Sequence, residues 1–277
     1  MSLFDREEQL LNLLSHGDEM SVEELAKAMF VSEPTIRRDL ATLTQKGLIL
    51  RTHGGAILNR DASSSLTPLD LRKHHNSAEK KLIANTAVSL VKNGDVIMMD
   101  ASTTTSYLIP LLTNFSNIIV ITSGVYNTML LSNTNIKTLC TGGMLINHSY
   151  SYVGQDAVDM VRHYNADLYF FSCHGIIDGG MLTDPGKEEN DLRREMMKRS
   201  RKTVLMLDSG KFDVNGWNNL CSLGEVDYCI CDCEIPERFG KPRFPLNSGQ
   251  KVTPPADERL VTDAWNRAYF ALLTASR

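Results

Sequence analysis

Apolar positions along this chain follow two different periods. In the first sixty residues they are spaced three and four apart, as on a helix with one buried face. Ser21 and Glu24 in "SVEE" form a capping box, which starts a short helix over Val22–Ala28. "FVSEPTIRRDLATLTQKG" then opens a second helix with Ser32 at its N-cap, Pro34 in its first turn and Gly47 as its stop. Ile36, Leu40 and Leu43 make its core stripe. Thr35, Arg38 and Thr42 lie on another face, with Arg37 beside them. "LILRTHGGAIL" reads as two short strands around Gly54 and Gly55. Two helices joined by a tight turn, the second bearing Arg and Thr, followed by a Gly-Gly hairpin, describe a helix-turn-helix with a β-wing.

Beyond residue 76 the pattern changes. Asn76 and Glu79 mark a helix start, and Ile83, Ala87, Leu90 and Val91 form a stripe that ends at Gly94. Apolar runs then alternate with helical segments. The strands expected are Val96–Met99, Ile118–Ile121, Ile136–Leu139, Leu168–Phe171, Thr203–Leu207 and Asp227–Ile230. The helices expected lie near Thr105–Leu112, Val125–Leu131, Gln155–His163 and Glu189–Ser200. Such alternation predicts a mainly parallel α/β sheet covered on both faces, with ligands beyond the carboxyl ends of its strands.

Polar loops gather at those ends. Asp100 to Thr105 follows the first strand, "CTGG" (Cys140–Gly143) the third, "SCHG" (Ser172–Gly175) the fourth and "DSGKF" (Asp208–Phe212) the fifth. A Thr-rich turn entering a helix offers N–H donors and hydroxyls to a phosphate. Gly142 and Gly143 allow close backbone approach, and Lys211 supplies positive charge.

Charge refines the picture. The net charge of −4 excludes a wholly basic nucleic-acid binder. Yet Glu33 to Arg60 holds Arg37, Arg38, Lys46, Arg51 and Arg60 against Glu33 and Asp39, while the residues before it are acidic in excess. No apolar run reaches the roughly 18 residues of a membrane span. The N-terminus "MSLFDREEQLLNLL" lacks the basic flank and cleavage site of a signal peptide, so a cytoplasmic chain with no membrane partner is expected.

Both halves resemble the DeoR-type bacterial transcriptional regulators. "VSEPTIRRDLATLTQKGLILRTHGGA" is similar to that family's V-S-x-x-T-I/V-R-R-D-L helix and R-x-H/Y-G-G-A wing. "EKKLIANTAVSLVKNGDVIMMDASTTT", "TGGML", "GMLTD", "EENDLRREMM" and "LDSGKF" match its sensor blocks in order, so the resemblance covers about residues 3 to 235. Ala101-Ser102 replaces the family's more usual Gly-Ser or Gly-Thr, and Gly210 stands where Ser or Thr is common.

The resemblance implies a winged helix-turn-helix (residues 1–58), a linker (59–76) and an effector-sensing domain (77–235) related in fold to ribose-5-phosphate isomerase and CoA transferases. It implies that Ser32, Thr35, Arg37 and Arg38, with Arg51 and His53 at the wing, meet a double-stranded operator. It further implies that Asp100, Ser102, Thr103, Thr104, Thr105, Gly142, Gly143, Glu189 and Lys211 hold a phosphorylated sugar. A homo-oligomeric repressor of a carbohydrate operon, released from DNA by its ligand and needing no cofactor, is the expected function.

Asp100, Glu189 and Lys211 are residue types that could do acid–base work in a sugar-phosphate isomerase. An isomerase, however, has no use for a recognition helix and wing. A sensor for a protein partner leaves Arg37 and Arg38 unexplained.

Cys229, Cys231 and Cys233 alternate along "CICDC" without the second pair a zinc site needs, so reduced thiols and no metal are expected. Five of the nine prolines fall between Pro236 and Pro255. Residues 236–277 therefore read as a Pro-rich tail ending in a helix with Leu260, Val261, Trp265 and Leu272 on one face.

Overall fold

Three helices and a small sheet build the N-terminal part of the computed structural model, which describes residues 3–15, 19–45, 48–59 and 69–244. The elements are α1 (Leu3–Ser15), β1 (Met20–Ser21), α2 (Val22–Met29), α3 (Glu33–Gln45), β2 (Ile49–Arg51) and β3 (Gly55–Leu58). The capping box forms: the Glu24 N–H donates to Ser21 Oγ (3.2 Å) and the Ser21 N–H to the Glu24 carboxylate (2.8 Å). Pro34 occupies the first turn of α3, while Gly47 lies outside the described residues. Leu10, Leu14, Leu25, Ile36, Leu40, Leu43 and Ile49 are fully or almost fully buried in one cluster.

The wing is an antiparallel pair, β2 with β3, and β3 also pairs with β1. Gly55 is required by that second pairing. A Cβ there would lie 2.0 Å from the Met20 carbonyl oxygen. Asp39, a polar residue of the Arg-Arg-Asp run, is buried, and Arg6 of α1 donates to both its oxygens at 2.8 and 3.2 Å. Charge counting along the sequence set Asp39 against the basic residues. In the fold its charge is instead neutralised inside, which leaves Arg37 and Arg38 to the surface.

A short helix, α4 (Leu69–His74), lies in the segment read as linker. The chain divides into two units, Met1–Ser77 and Ala78–Arg277.

The second unit follows α5 (Ser77–Ala87) with β4 (Val96–Met99), α6 (Thr103–Ser106), α7 (Ile109–Leu112), β5 (Ile119–Thr122), α8 (Val125–Leu131) and β6 (Lys137–Cys140). A hairpin, β7 (Met144–Ile146) with β8 (Ser151–Val153), precedes α9 (Gln155–Arg162) and β9 (Ala166–Phe171). Then come β10 (Gly175–Ile177), β11 (Met181–Asp184), α10 (Lys187–Lys198), β12 (Ser200–Leu207), β13 (Asn218–Ser222) and β14 (Tyr228–Cys231).

Six strands form a parallel sheet in the order β14-β12-β9-β4-β5-β6. Alternate residues of each strand feed two cores, as the two-residue strand period demands. Met98, Ile121, Tyr169, Phe171, Leu205 and Leu207 pack on one face. Ile97, Met99, Val120, Phe170, Val204 and Met206 pack on the other. The fold is thus a winged helix-turn-helix followed by a mainly parallel α/β domain.

Several features depart from the sequence pattern, the β7–β8 hairpin among them. The helix expected over Thr105–Leu112 is two four-residue turns, α6 and α7. Pro110 has no N–H to offer the Ser106 carbonyl, so one continuous helix cannot form. A separate antiparallel sheet, β10-β11-β13, was not anticipated at all. At the other end, Phe239, within the segment read as tail, is buried in the core beside Phe212. Residues 245–277, with the expected tail helix, lie outside the described residues.

Candidate functional site

The N-terminal unit offers one basic face. α3 exposes Ser32 just before its start and Arg37 and Arg38 along its first turns, with Thr35 half-buried between them. The Ser32 and Thr35 hydroxyls are 2.9 Å apart. Arg37 is held by Glu33 one turn back, at 3.0 Å. Among the described residues the Arg38 guanidinium has no hydrogen-bond or ion-pair partner, and neither has Arg51 or His53, both exposed on the wing. Exposed arginines on a helix end and its neighbouring hairpin are the electrostatic requirement for duplex DNA.

The second unit builds a polar corner where β4, β9 and β12 end. Ser102 caps α6 and accepts from the Thr105 N–H at 3.2 Å. Lys211, from the turn after β12, reaches across the sheet. Its ammonium donates to Ser172 Oγ at 2.7 Å and Thr104 Oγ1 at 3.4 Å, and lies 3.2 Å from Asp208. Lys80 of α5, buried at 3% exposure, donates to Thr103 Oγ1 at 3.2 Å. The turn carrying Lys211 is itself fixed, because the Ser209 N–H and hydroxyl both donate to Asp232 at 2.7 Å. With α6 only four residues long, the cationic groups of this corner are two lysine side chains rather than a helix dipole, and Lys211 is paired with Asp208.

Asp100 stands beneath this corner. One carboxylate oxygen accepts from the Ser102 N–H (3.0 Å) and Thr105 Oγ1 (3.1 Å). The other accepts from the Ser172 N–H (3.1 Å) and Arg193 Nε (3.2 Å). Arg193 also pairs with Asp184 at 3.3 Å. Burial pushes the Asp184 carboxyl up to about 6, against the pull of Arg193. Burial likewise opposes the charge on Arg193, but Asp184 and Asp100 hold it protonated. Asp100 therefore organises the loops, with every acceptor position engaged. A general base needs a free one.

Family comparison draws both units together. Residues 6–62 match the model of the DeoR-like helix-turn-helix domain, and residues 75–233 match that of the DeoR C terminal sensor domain. The chain belongs to the DeoR family. It is a DNA-binding transcriptional regulator.

Its relatives within the DeoR family are named accordingly. It is 35% identical to the HTH-type transcriptional regulator GolR of Listeria innocua, across 86% of this chain and 94% of that one. It is 32% identical to the L-fucose operon activator of Haemophilus influenzae, across 85% and 94%. It is 31% identical to the glycerol-3-phosphate regulon repressor of Escherichia coli K12, across 85% and 93%. Among solved structures, ribose 5-phosphate isomerase A of Methanocaldococcus jannaschii is similar over 50% of this chain and 55% of its own, at 19% identity and a TM-score of 0.38. A likeness that weak says nothing of activity.

Of the sensor residues expected from sequence, this DeoR-family chain brings Asp100, Ser102, Thr103, Thr104, Thr105 and Lys211 into one bonded cluster. Gly142 and Gly143 follow β6, two strands away, both at positive φ (63° and 100°). A Cβ at Gly143 would come within 2.5 Å of the Val153 carbonyl oxygen, so the hairpin packs there only against glycine. Glu189, in the first turn of α10, folds its carboxylate over Gly186.

Sequence reading passed over Lys80 and Arg193 as site residues, and it placed the loop Ser172–Gly175 at the ligand edge without singling out Ser172 as a contact. Lys80 had a signal: it lies three and four residues before Ile83 and Ala84, on the apolar stripe, where a lysine needs a reason. Arg193 had none, since its carboxylate partners are remote in sequence. The cysteines collect no metal set: among the described residues no three His, Cys, Asp or Glu side chains cluster suitably. No described helix is long and apolar enough to cross a membrane.

Proposed function

We propose that this regulator is a cytoplasmic repressor of a carbohydrate operon and that a phosphorylated sugar, bound at the Lys211 corner, releases it from its operator. The observation that carries the reading is the convergence of the Lys211 ammonium on the Thr104 and Ser172 hydroxyls, with Lys80 at neighbouring Thr103. Hydroxyls and ammonium groups presented together suit a phosphate dianion, for which charge-assisted hydrogen bonds are the stronger kind. In this reading Ser102, Thr103, Thr104 and Lys211 contact the phosphate. Gly142, Gly143 and Glu189 face the sugar. Asp100 and Thr105 hold the corner in shape.

The names of the relatives support a carbohydrate operon. One is a glycerol-3-phosphate regulon repressor and another a fucose operon activator, so both directions of control occur among them. On the DNA side, Ser32, Thr35, Arg37 and Arg38 enter the major groove and Arg51 and His53 follow at the wing. A homo-oligomer, dimer or tetramer, supplies the two recognition helices that a two-fold operator requires, roughly 34 Å or a multiple apart.

The test is a thermal-shift screen of sugar phosphates, each beside its unphosphorylated parent. A ligand that binds only the folded state raises the melting temperature. We expect one phosphorylated sugar to do so, its parent not, and the same compound to lower operator affinity in fluorescence anisotropy. If free sugars work as well as their phosphates, the corner is not a phosphate site. If affinity for DNA rises instead, the protein is an activator. Light scattering of a monomer, with and without DNA, would contradict the oligomer.

A further inference from the structure

Phe30 occupies the turn between α2 and α3 and combines two unfavourable states. Its backbone is left-handed, with φ 54° and ψ 40°. Its side chain is 95% exposed. Glycine or asparagine takes a left-handed helix cap more readily than a residue with a bulky side chain. Water is the poorest environment for a phenyl ring. The turn itself is used: the Phe30 and Val31 N–H groups donate to the Lys27 and Ala26 carbonyls at 3.4 and 3.1 Å and close α2, but the phenyl ring adds nothing to that closure. The next residue, Val31, packs against the N-terminal core, and the Phe30 ring makes no aromatic or cation contact among the described residues. A bare phenyl ring kept at a cap that glycine or asparagine would fill more readily points to a contact made outside the fold.

The place of the residue says which contact. In a docked helix-turn-helix the first helix crosses the sugar-phosphate backbone and the start of the second faces base edges. The corner joining them therefore lies where the wall of the major groove meets its floor. Flanking Phe30 in sequence, the exposed residues include Lys27 in the last turn of α2, Ser32 before α3 and Arg38 along it, while the one exposed acid in that span, Glu33, is paired with Arg37 at 3.0 Å. The apolar surfaces DNA offers at such a corner are deoxyribose and the C5-methyl of thymine.

We propose that Phe30 is a DNA-contact residue that reads a thymine methyl at the edge of each operator half-site. This deepens the proposed docking of α3 in the major groove and rests on it.

The test begins with an operator selected from random duplexes by the wild-type protein. Affinities for that operator and for a random duplex are then measured across a salt series, for wild type, Phe30→Gly, Phe30→Asn and Arg38→Ala. We expect Phe30→Gly and Phe30→Asn, freed of the left-handed cost, to melt no lower than wild type. Both should bind random DNA with unchanged strength and salt slope, and bind the operator on the order of ten-fold more weakly, the scale of one mismatched base pair. Replacing thymine by uracil at one position of each half-site should weaken wild type by a similar factor. It should leave the Phe30 variants untouched, the non-additivity expected of groups in contact.

Undiminished operator affinity in both Phe30 variants overturns the inference, as do uracil effects that are equal in all proteins. A loss shared by operator and random DNA, with a lower melting temperature, also overturns it by marking a structural role. If operator affinity is kept but regulated transcription is lost in a reconstituted reaction, Phe30 meets a protein and the inference fails. In each case an Arg38→Ala protein that has lost the operator shows that the docking of α3 still stands. A wild type that selects no sequence removes the docking and the inference together.

Discussion

Asp100 and Arg193, 93 residues apart along the chain, meet as a buried ion pair at 3.2 Å, with the two side chains only 2% and 10% exposed. The pair joins the end of β4 to the middle of α10, and so fixes the helix that also carries Glu189 relative to the threonine corner. Leaving a buried charge wholly uncompensated costs about 3–5 kcal/mol, and losing Asp100 costs less than that because Arg193 keeps Asp184 at 3.3 Å. Asp100→Ala also strands the Ser102 and Ser172 N–H groups. We expect Asp100→Ala to lower the melting temperature of the ligand-free protein markedly, as read by calorimetry. An unchanged melting temperature would show that Asp100 serves the ligand and not the scaffold.

Asp184 gives a pH signature. Its carboxyl titrates near 4 when exposed, and burial raises it to about 6 in the fold. Between those values the folded state binds more protons than the unfolded one. The contribution of this group to stability is therefore complete below about pH 4 and is lost as pH rises through about 6. The stability of wild type relative to Asp184→Asn should fall across that window and stay level above it. Denaturant titrations at half-unit pH steps measure the difference. A difference independent of pH between 4 and 7 would refute the shifted carboxyl.

Lys211→Ala and Thr104→Val separate sensing from folding. Neither touches Asp100 directly, and the Lys211 side chain, which bonds the Ser172 hydroxyl and pairs with Asp208, retains 19% exposure. Thr104→Val should melt close to wild type without ligand, Lys211→Ala somewhat lower because it takes the ammonium from buried Asp208, and both should bind the operator normally. They should fail to respond to the effector that stabilises wild type, because a ligand shifts an equilibrium only by its differential affinity for the two states. For a repressor the result is permanent repression in a reporter strain. If Lys211→Ala binds that effector calorimetrically at wild-type strength, the site lies elsewhere.

Arg38→Ala and Arg6→Ala separate recognition from architecture in the other unit. Arg38 is exposed and without a partner among the described residues, so its loss should leave the melting temperature unchanged and weaken operator binding by about 1–3 kcal/mol if it reads a base. Equal weakening on random DNA would make it a phosphate contact instead. Arg6 neutralises buried Asp39. Its removal should lower both stability and DNA binding together, which circular dichroism and anisotropy on one sample will show.

The parallel sheet was legible from sequence because its inner strands β4, β5 and β9 and the second half of β12 are largely buried and read as apolar runs, whereas the edge strand β6 reads "KTLC" and is partly exposed. Val96–Met99 and Val125–Leu131 fall where the pattern placed them. The antiparallel sheet was not legible, since β10 is three residues long and begins at Gly175, and β13 reads "NNLCS". In the corner, the residue types and their order along the chain were readable, but the pairings were not. Spacing shows that Lys211 follows a strand. It cannot show that its ammonium crosses to Ser172, 39 positions away. Asp39 misled because a carboxylate between arginines and leucines looks like surface charge until α1 supplies Arg6.

The saturation of Asp100 bears on how such a regulator changes its signal over generations. Its four contacts are to backbone, to Thr105 and to a buried guanidinium, so the frame of the corner stands without any ligand. Substitutions at positions whose side chains lie outside that frame alter what is sensed while sparing the chassis. Descendants of one ancestral gene can in this way diverge in the metabolite they answer to, each step passing through a protein that still folds and still finds its promoter.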